Sequence, residues 1–135
     1  MSVNKVIIHA DGAARGNPGP AAIGATIKDE QGKLLAGISR HIGSTTNNQA
    51  EYRAVIAALE KAIGLGARHV EFRSDSELVV KQLNGRYRVK NAGLRLLYQQ
   101  VVKLIGSLQG FTIAYVPRSR NTEADALANK ALDRL

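Results

Sequence analysis

Four acidic residues occupy positions where secondary-structure elements are expected to begin or end. Asp11 and Asp75 each follow a short predicted strand, and Glu51 and Asp125 each lie in the first turn of a segment with helical periodicity. No lysine is adjacent to any of the four in the sequence. Carboxylates that are held close together repel one another, so a protein keeps such a cluster only where a divalent cation or a shared proton relieves the repulsion.

A cluster of these side chains would offer only oxygen ligands to a cation. Such ligands favour Mg²⁺, or Mn²⁺ in its place, over zinc. Two ions about 3.5 to 4 Å apart would stabilise both the attacking water and the leaving oxygen of an in-line phosphodiester displacement. The acids therefore predict metal-dependent phosphodiester chemistry, provided that the fold brings them together.

Each acid, taken singly, also has a structural explanation. The two acids in helical segments would complement the partial positive charge of helix N-termini, and Thr122 and Asp125 have the spacing of a capping box. Asp11 and Asp75 fit turn or N-cap positions. These explanations account for single positions and leave the convergence of four acids unexplained.

Three strands are predicted in the first third of the chain. Apolar and β-branched residues mark residues 3–10, 22–28 and 34–41, and the first of these strands ends in a turn at Asp11-Gly12. A loop with two prolines separates the first two strands, and a polar turn containing glycine joins the second to the third. This spacing predicts an antiparallel meander.

The periodicity then becomes helical. Thr46 and Gln49 have the spacing of a capping box and begin a helix that lasts to Gly64. The remaining predicted elements are a strand over 69–74, a helix from 78 to 83, a helix over 94–108, a strand over 111–116 and a helix capped by Asn121-Thr122. The order β-β-β-α-β-α-α-β-α predicts an α/β (mixed α+β) fold, in which helices flank a five-stranded mixed sheet with parallel later crossovers. In such a sheet the first and fourth strands would place Asp11 and Asp75 at one carboxyl edge, where α/β folds bind ligands.

Basic residues are concentrated in one part of the chain. The 135 residues carry a net charge of +8, and residues 78–122 contain eight lysines and arginines and no acid, so the remainder is balanced. A one-sided basic surface suits a polyanion, since lysine and arginine neutralise phosphates. A solvated face kept for solubility is the alternative. The chain has no cysteine, which excludes disulfides and thiolate metal sites.

Four ordered motifs give the chain a family resemblance. They are DGAARGNPG from Asp11, TTNNQAE ending at Glu51, SDS around Asp75 and EADALA around Asp125. In this order and at these distances they resemble the type 1 ribonuclease H family over essentially all 135 residues. The resemblance implies a ribonuclease H-like five-stranded mixed sheet with strand order 3-2-1-4-5. It also implies hydrolysis of the RNA strand of RNA–DNA hybrids, leaving a 5′-phosphate and a 3′-hydroxyl.

The resemblance also implies roles for the four acids. Asp11 would bridge two magnesium ions, Glu51 and Asp75 would bind the ion on the leaving-group side, and Asp125 would bind the ion beside the nucleophile. The family reads the hybrid minor groove with the loop after the first strand and with the start of the long helix. These positions correspond here to Asn17, Asn47, Asn48 and Gln49.

Amide side chains at those positions can meet the 2′-hydroxyl that separates RNA from DNA. Turn and cap roles are their structural alternative. We place Gly12, Thr46 and Ser76, which adjoin the amides or the acids, with the predicted substrate-binding residues.

Two positions depart from the family pattern. Many members carry a histidine before the last helix for proton transfer or product release, whereas this chain has VPRSR, and Arg118 is the predicted stand-in. An arginine there could bind the scissile phosphate but cannot shuttle protons near neutral pH. Many bacterial members also have a protruding helix rich in Trp and Lys. Here only residues 85–91 remain, with Arg86, Tyr87, Arg88 and Lys90 as predicted substrate contacts and a surface turn as the alternative reading of Tyr87.

Other functions remain open at this point. The chain could be a catalytically silent binding module for double strands, although all four acids are present. It could also be another metal-dependent nuclease or phosphotransferase of the wider superfamily, because fold and acids alone do not fix the substrate. A nucleotide-binding glycine loop at residues 11–19 is disfavoured, since no Lys-Ser/Thr pair follows it.

The remaining expectations concern organisation and partners. We expect residues 1–135 to form a single domain, without an added hybrid-binding domain and without an obligate protein partner, acting as a monomer. No signal peptide or membrane-spanning run is evident, which predicts a cytoplasmic protein. Double-stranded RNA stays open as a second substrate.

Overall fold

The computed structural model describes residues 4–134. Its elements follow the predicted order, with one additional 3₁₀ turn before the last helix. They are β1 (Lys5–Ala14), β2 (Gly19–Lys28), β3 (Leu34–Thr45), α1 (Asn47–Gly64), β4 (His69–Ser74), α2 (Glu77–Leu83), α3 (Ala92–Gly106), β5 (Gly110–Tyr115), the turn Arg118–Arg120 and α4 (Thr122–Asp133).

The five strands form one mixed sheet in the order β3-β2-β1-β4-β5. β1, β2 and β3 pair antiparallel, as the meander predicted. β4 lies parallel to both β1 and β5, so the chain crosses over through α1 and again through α2 and α3. The predicted fold class and strand order are confirmed.

Helices cover both faces of this sheet. On β2, Ile23 packs into the main core together with α1, whereas its neighbour Ala22 packs against Ala131 and Leu132 of α4. Successive residues of a strand point to opposite faces, so α1 and α4 lie on opposite sides. The main core is built from apolar side chains that are fully buried, such as Ile8, Tyr52 and Phe72.

Three strand boundaries differ from the prediction. β1 continues through Asp11 and Gly12 to Ala14, so Asp11-Gly12 is not a turn, and β2 and β3 are also longer than predicted. The antiparallel pairing of β1 with β2 persists to Ala14 opposite Ala21. Alanine and glycine have low strand propensity, so the sequence pattern does not reveal this pairing. The predicted start of β1 at Val3 lies outside the described residues.

Within residues 4–134, no helix combines the length and the apolar character that a bilayer crossing requires.

Candidate active site

The carboxyl end of the β1–β4 ladder brings the first two acids together. The last parallel pair is Ala10 with Ser74, and Asp11 and Asp75 are the residues that follow immediately on the two strands. Asp11 is only 9% exposed. It still lies inside β1, where it pairs with Gly24 of β2. The predicted juxtaposition is therefore present, with Asp11 inside a strand and Asp75 at the beginning of a loop.

The start of α1 places Glu51. The predicted capping box is confirmed, because the Thr46 hydroxyl accepts a hydrogen bond from the Gln49 backbone N–H and the Gln49 side chain accepts one from the Thr46 backbone N–H. Asn47 joins the helix to β1, since its Oδ1 accepts from the Ala14 N–H at 3.3 Å. The Asn47 Nδ2 donates to Glu51 Oε1 at 3.0 Å, so one amide fixes the carboxylate relative to β1.

A glycine lets the helix approach β1 closely. A Cβ on Gly12 would lie 2.2 Å from the Ala50 carbonyl oxygen and 2.5 Å from the Glu51 backbone nitrogen. Any side chain at this position would push α1 away. Gly12, a predicted substrate contact, thus also has a packing role that brings Glu51 to Asp11.

The fourth acid, Asp125, comes from the opposite face of the sheet. Gly24 is the β2 partner of Asp11, and a Cβ on Gly24 would lie 2.2 Å from the Ala124 carbonyl oxygen. This close approach brings the first turn of α4 over Asp11, and the carboxyls of Asp11 and Asp125 come within hydrogen-bonding reach.

The predicted capping of α4 is wrong in its details. Asn121 occupies the N-cap position, but its side chain makes no capping hydrogen bond. Its Nδ2 donates instead to the Ala10 carbonyl oxygen at 3.0 Å. Thr122 is the first residue inside the helix, so it cannot form the predicted capping box with Asp125. The Asn121 amide therefore hydrogen-bonds with the buried Ala10 carbonyl instead of with the end of the helix.

A cavity of about 230 Å³ opens over the acids. Its lining includes Asp11, Glu51, Asp75 and, from the turn before α4, Arg118. The Arg118 side chain is 79% exposed and its Nη2 lies 3.5 Å from Asp125 Oδ1. All four predicted acids and the predicted arginine are therefore assembled at one site.

Burial and mutual repulsion make these acids reluctant to ionise. Burial, then the charge of Asp75, then the hydrogen bond and charge of Asp125 raise the pKa of Asp11 to about 8. Burial also raises the pKa of Glu51, opposed by hydrogen bonds from Ser76 and Asn47, and burial raises the pKa of Asp75, opposed by its hydrogen bond with Asp11 and by the charge of Arg118. Asp11 therefore carries a proton near neutral pH when no cation is bound.

The donor set fits hard divalent cations. It consists of carboxylate oxygens, which suit Mg²⁺ and Mn²⁺, and a cation would relieve the repulsion that raises the three pKa values. In the side-chain conformations of residues 4–134, no group of three His, Asp or Glu residues is arranged to bind one metal ion. The acids instead lie close enough to Asp11 to influence its pKa. Rotation of the carboxylates would therefore have to accompany cation binding.

Of the predicted minor-groove readers, Asn47 lines the cavity, and the others lie near it on the loop after β1 and at the start of α1. Asn17 Oδ1 accepts a hydrogen bond from the Asn47 backbone N–H at 3.1 Å, which ties the loop after β1 to the start of α1. Asn48 is exposed, whereas Asn47 and Gln49 already use their side chains within the protein. Ser76 is buried, its hydroxyl caps α2, and it lowers the pKa of Glu51, so it lies beside the acids rather than facing solvent.

The predicted basic contacts form a second cavity. Arg86, Tyr87 and Arg88 line a space of about 470 Å³ together with Arg95 and Tyr98, and Lys90 is exposed nearby in the sequence. Tyr87 is 50% exposed, its hydroxyl lies 3.3 Å from Lys81 Nζ, and the same cation lies 5.0 Å from its ring centre. We name this cavity the basic groove.

Sequence reasoning missed three residues of the site. Gly24 allows the close approach of α4. Asn121 connects α4 to β1 by a hydrogen bond, and Tyr115 lines the acid cavity. A glycine inside an apolar strand pattern was an available signal for Gly24, because it often marks a close approach of backbone. The sequence predicts a capping role for Asn121, and Tyr115 carries no sequence signal beyond its place at a strand end.

Comparisons with known proteins agree with this geometry. A family model described as reverse transcriptase-like matches residues 9–131. Ribonuclease HI of Halobacterium salinarum is 47% identical over 128 residues, which cover 93% of this chain and 64% of that protein. Ribonuclease H of Ruthia magnifica is 31% identical over 148 residues, covering 98% of this chain and 99% of the relative. A bifunctional protein of Mycobacterium tuberculosis is 47% identical over 130 residues, and the chain spans only 36% of its length.

Solved structures are similar as well. The crystal structure of the Halobacterium salinarum enzyme RNase H1 superposes with a TM-score of 0.95 at 45% identity, covering 98% of this chain and 100% of that chain. LC11-RNase H1 in complex with an RNA/DNA hybrid superposes with a TM-score of 0.91 at 42% identity, covering 96% of this chain and 97% of that chain.

Proposed function

Since the chain belongs to the type 1 ribonuclease H family, we propose that it hydrolyses the RNA strand of RNA–DNA hybrids at the carboxylate cluster. The observation that carries the proposal is the convergence of Asp11, Glu51, Asp75 and Asp125 from three elements and one loop at one sheet edge. The relative LC11-RNase H1, which binds an RNA/DNA hybrid, supports the choice of substrate.

The acids suit a phosphodiester hydrolase that depends on divalent cations. Two bound Mg²⁺ ions, with Mn²⁺ able to substitute, would supply an activated water and charge stabilisation for the leaving oxygen. Asp11 lies between Asp75 and Asp125 and is the natural shared ligand, while the amide of Asn47 orients Glu51. Water would add to phosphorus as the bond to the 3′ oxygen breaks, leaving a 5′-phosphate and a 3′-hydroxyl.

Recognition of the RNA strand would fall to the loop after β1 and the start of α1. The Asn48 side chain is exposed and has no hydrogen bond within residues 4–134 that would occupy it. Asn17 uses its Oδ1 internally and keeps its Nδ2 for a ligand. Asn47 and Gln49 would act chiefly by holding this surface in place. A 2′-hydroxyl both donates and accepts, so amide side chains can select RNA in the minor groove.

The basic groove would bind the DNA strand. Its segment leads into α3, and Gly93 at the start of α3 lies beside the Gln49 side chain at the start of α1. The groove is therefore connected to the proposed RNA-reading surface. Arg86, Arg88 and Lys90 would neutralise phosphates, and Tyr87 would stack on a sugar or base.

Cleavage of a labelled RNA–DNA hybrid in Mg²⁺ or Mn²⁺ tests the proposal. We expect cutting of the RNA strand only, lost in Asp11→Asn and in Asp75→Asn. Glu60→Gln is the matched control, because Glu60 is an exposed carboxylate of α1 nine residues beyond Glu51. A DNA duplex and a double-stranded RNA serve as substrate controls. Binding of the hybrid without cutting in either metal would contradict the proposal and favour a silent binding module.

Arg118 gives a second, independent test. An arginine that binds the scissile phosphate makes a charge-assisted hydrogen bond worth about 1.5 to 3 kcal/mol. Arg118→Ala should therefore lower kcat/KM about tenfold to a hundredfold, while Arg118→Lys should retain part of the activity. Because the charge of Arg118 lowers the pKa of Asp75, Arg118→Ala should move the acidic midpoint of the pH–rate profile upward, whereas Arg118→Lys keeps the charge and should leave it in place. A midpoint displaced equally in both variants would contradict this electrostatic role.

We also propose that one copy of the chain is sufficient. All four acids and Arg118 come from a single chain and share one cavity or its immediate rim. Sedimentation of the active protein with a short hybrid should yield one copy per cut site. Activity found only in a dimeric fraction would overturn this part of the proposal.

A further inference from the structure

Asn121 is a buried amide whose placement is unusual for the residue before a helix. It is 1% exposed, and it occupies the N-cap position of α4 without capping the helix through its side chain. Its Nδ2 instead donates to the Ala10 carbonyl oxygen at 3.0 Å, across 111 positions of sequence. The fixed donor also fixes the amide orientation, because a flipped amide would set two oxygens against each other.

Stability alone does not explain an asparagine at this position. Its Oδ1 is buried and has no hydrogen-bond partner among the described residues. An unsatisfied buried polar atom carries a desolvation penalty that an apolar side chain of similar shape would avoid. A residue kept in spite of such a penalty needs a further reason.

The contacts of Asn121 connect the backbone beside three site residues. Ala10, its acceptor, precedes Asp11 and belongs to the last pair of the β1–β4 ladder. The Asn121 carbonyl accepts from the Asp125 N–H at 3.0 Å, and the Asn121 N–H donates to the Arg118 carbonyl at 3.0 Å. One buried residue thus joins the strand of Asp11 to the helix turn of Asp125 and to the turn of Arg118.

We propose that Asn121 is a positioning residue that holds Asp125 and Arg118 in register with Asp11 for cation binding and hydrolysis. It acts through the Ala10 carbonyl and touches neither substrate nor reacting atoms. The inference rests on the proposed function, because it assumes that the acids bind divalent cations.

Two variants isolate the hydrogen bond. Asn121→Leu is nearly isosteric and cannot donate, and Asn121→Asp keeps the polar shape but replaces the donor with an acceptor. The matched control is Ser39→Ala, since the Ser39 hydroxyl donates to the Leu127 carbonyl at 2.6 Å and so ties the same helix to β3, farther along α4 than the acids. Near-ultraviolet circular dichroism checks the fold of each variant.

Mg²⁺ affinity, measured by calorimetry on the protein alone, is the first readout. Loss of a residue that orients metal ligands weakens metal binding about tenfold to a hundredfold. We expect this loss in both Asn121 variants together with a lower kcat and an unchanged KM for the hybrid, while Ser39→Ala binds Mg²⁺ as the wild type does. In an Asp125→Asn background the Asn121 substitution should weaken Mg²⁺ binding little further, because its effect passes through Asp125.

The outcomes separate this inference from the proposed function. A wild type that neither binds Mg²⁺ nor cuts the hybrid refutes the proposed function. A wild type that does both, with Asn121 variants whose Mg²⁺ affinity equals that of Ser39→Ala, overturns the positioning role alone. Failure of both Asn121 variants to fold would also overturn it, since the amide would then be a requirement of the fold rather than of the site.

Discussion

Asp11 is the residue at the centre of the proposed chemistry. Burial and all three of the other acids raise its pKa. The raised pKa keeps Asp11 protonated near neutral pH when no cation is present. Cation binding must displace that proton, so metal affinity and pH are linked at this residue.

The raised pKa of Asp11 predicts a dependence of stability on pH. Its folded-state pKa of about 8 lies above the ordinary value of 3.8, so protonation favours the folded state. This contribution is fully present below about pH 4 and is lost as the pH rises to about 8. Without metal, Asp11→Asn should therefore be as stable as the wild type at pH 4. At pH 8 it should be more stable by several kcal/mol, because each unit of the rise in the Asp11 pKa from 3.8 to about 8 is worth about 1.4 kcal/mol.

Urea unfolding at both pH values, with a chelator present, measures this difference. Adding Mg²⁺ should stabilise the wild type at pH 8 and have a much smaller effect on Asp11→Asn, because the variant lacks the proposed shared ligand. Equal stabilities of the two metal-free proteins at both pH values would show that Asp11 is not held protonated by its surroundings.

Two glycines set the distance of the helices from β1. The start of α1 packs directly against Gly12 on one face of the sheet. The start of α4 packs directly against Gly24, a near neighbour of Gly12 on β2, on the other face. Both glycines contact helix backbone rather than flexible side-chain ends, so neither contact can yield without moving a helix. The acids on α1 and α4 converge on Asp11 because of these two contacts.

Gly24→Ala should therefore damage both stability and the site. Its Cβ would collide with α4 backbone 2.2 and 2.5 Å away, and overpacking of this kind costs about 1 to 3 kcal/mol. Displacement of α4 should also weaken Mg²⁺ binding. Gly37→Ala on β3 is the matched control, since the nearest atoms to its added Cβ are 4.0 Å away. Its free energy of unfolding should change by less than about 1 kcal/mol. Equal effects of the two substitutions in thermal unfolding would refute the role of Gly24.

At the scale of elements, hydrophobic periodicity and helix caps in the sequence predict most of the helices and strands. The capping box of Thr46 and Gln49 begins α1 where expected, and the strand order follows from the chain order and the family motifs. The extension of β1 through Asp11 could not be predicted, because pairing with β2 imposes it on residues of weak strand propensity. The role of Asn121 was hidden for a related reason. Its partner Ala10 is distant in sequence, and a local capping rule competes with that tertiary hydrogen bond.

The whole molecule separates its charges. The acids occupy a cavity at the carboxyl edge of the sheet, whereas the basic groove is formed by the segment between α2 and α3 and by α3 itself. A polyanion would meet repulsion at the acids unless cations neutralise them, and attraction at the groove. Affinity for a hybrid should therefore come from the groove, and cutting from the acids, so the two can be altered separately.

Salt dependence of binding tests this division of labour. In Ca²⁺, which suits oxygen ligands, the hybrid affinity should fall linearly with the logarithm of salt concentration, with a slope of about 0.9 for each neutralised phosphate. Replacing Arg86, Arg88 and Lys90 with alanine should lower the magnitude of that slope by about 2 to 3 and weaken binding similarly for every hybrid sequence. The matched control replaces Lys33, Lys61 and Arg68, three exposed cations near the opposite edge of the sheet, and removes the same net charge. Because counterion release needs direct phosphate contacts, the control should change the slope by much less than 1. If both triple variants change it equally, net charge rather than the basic groove governs binding.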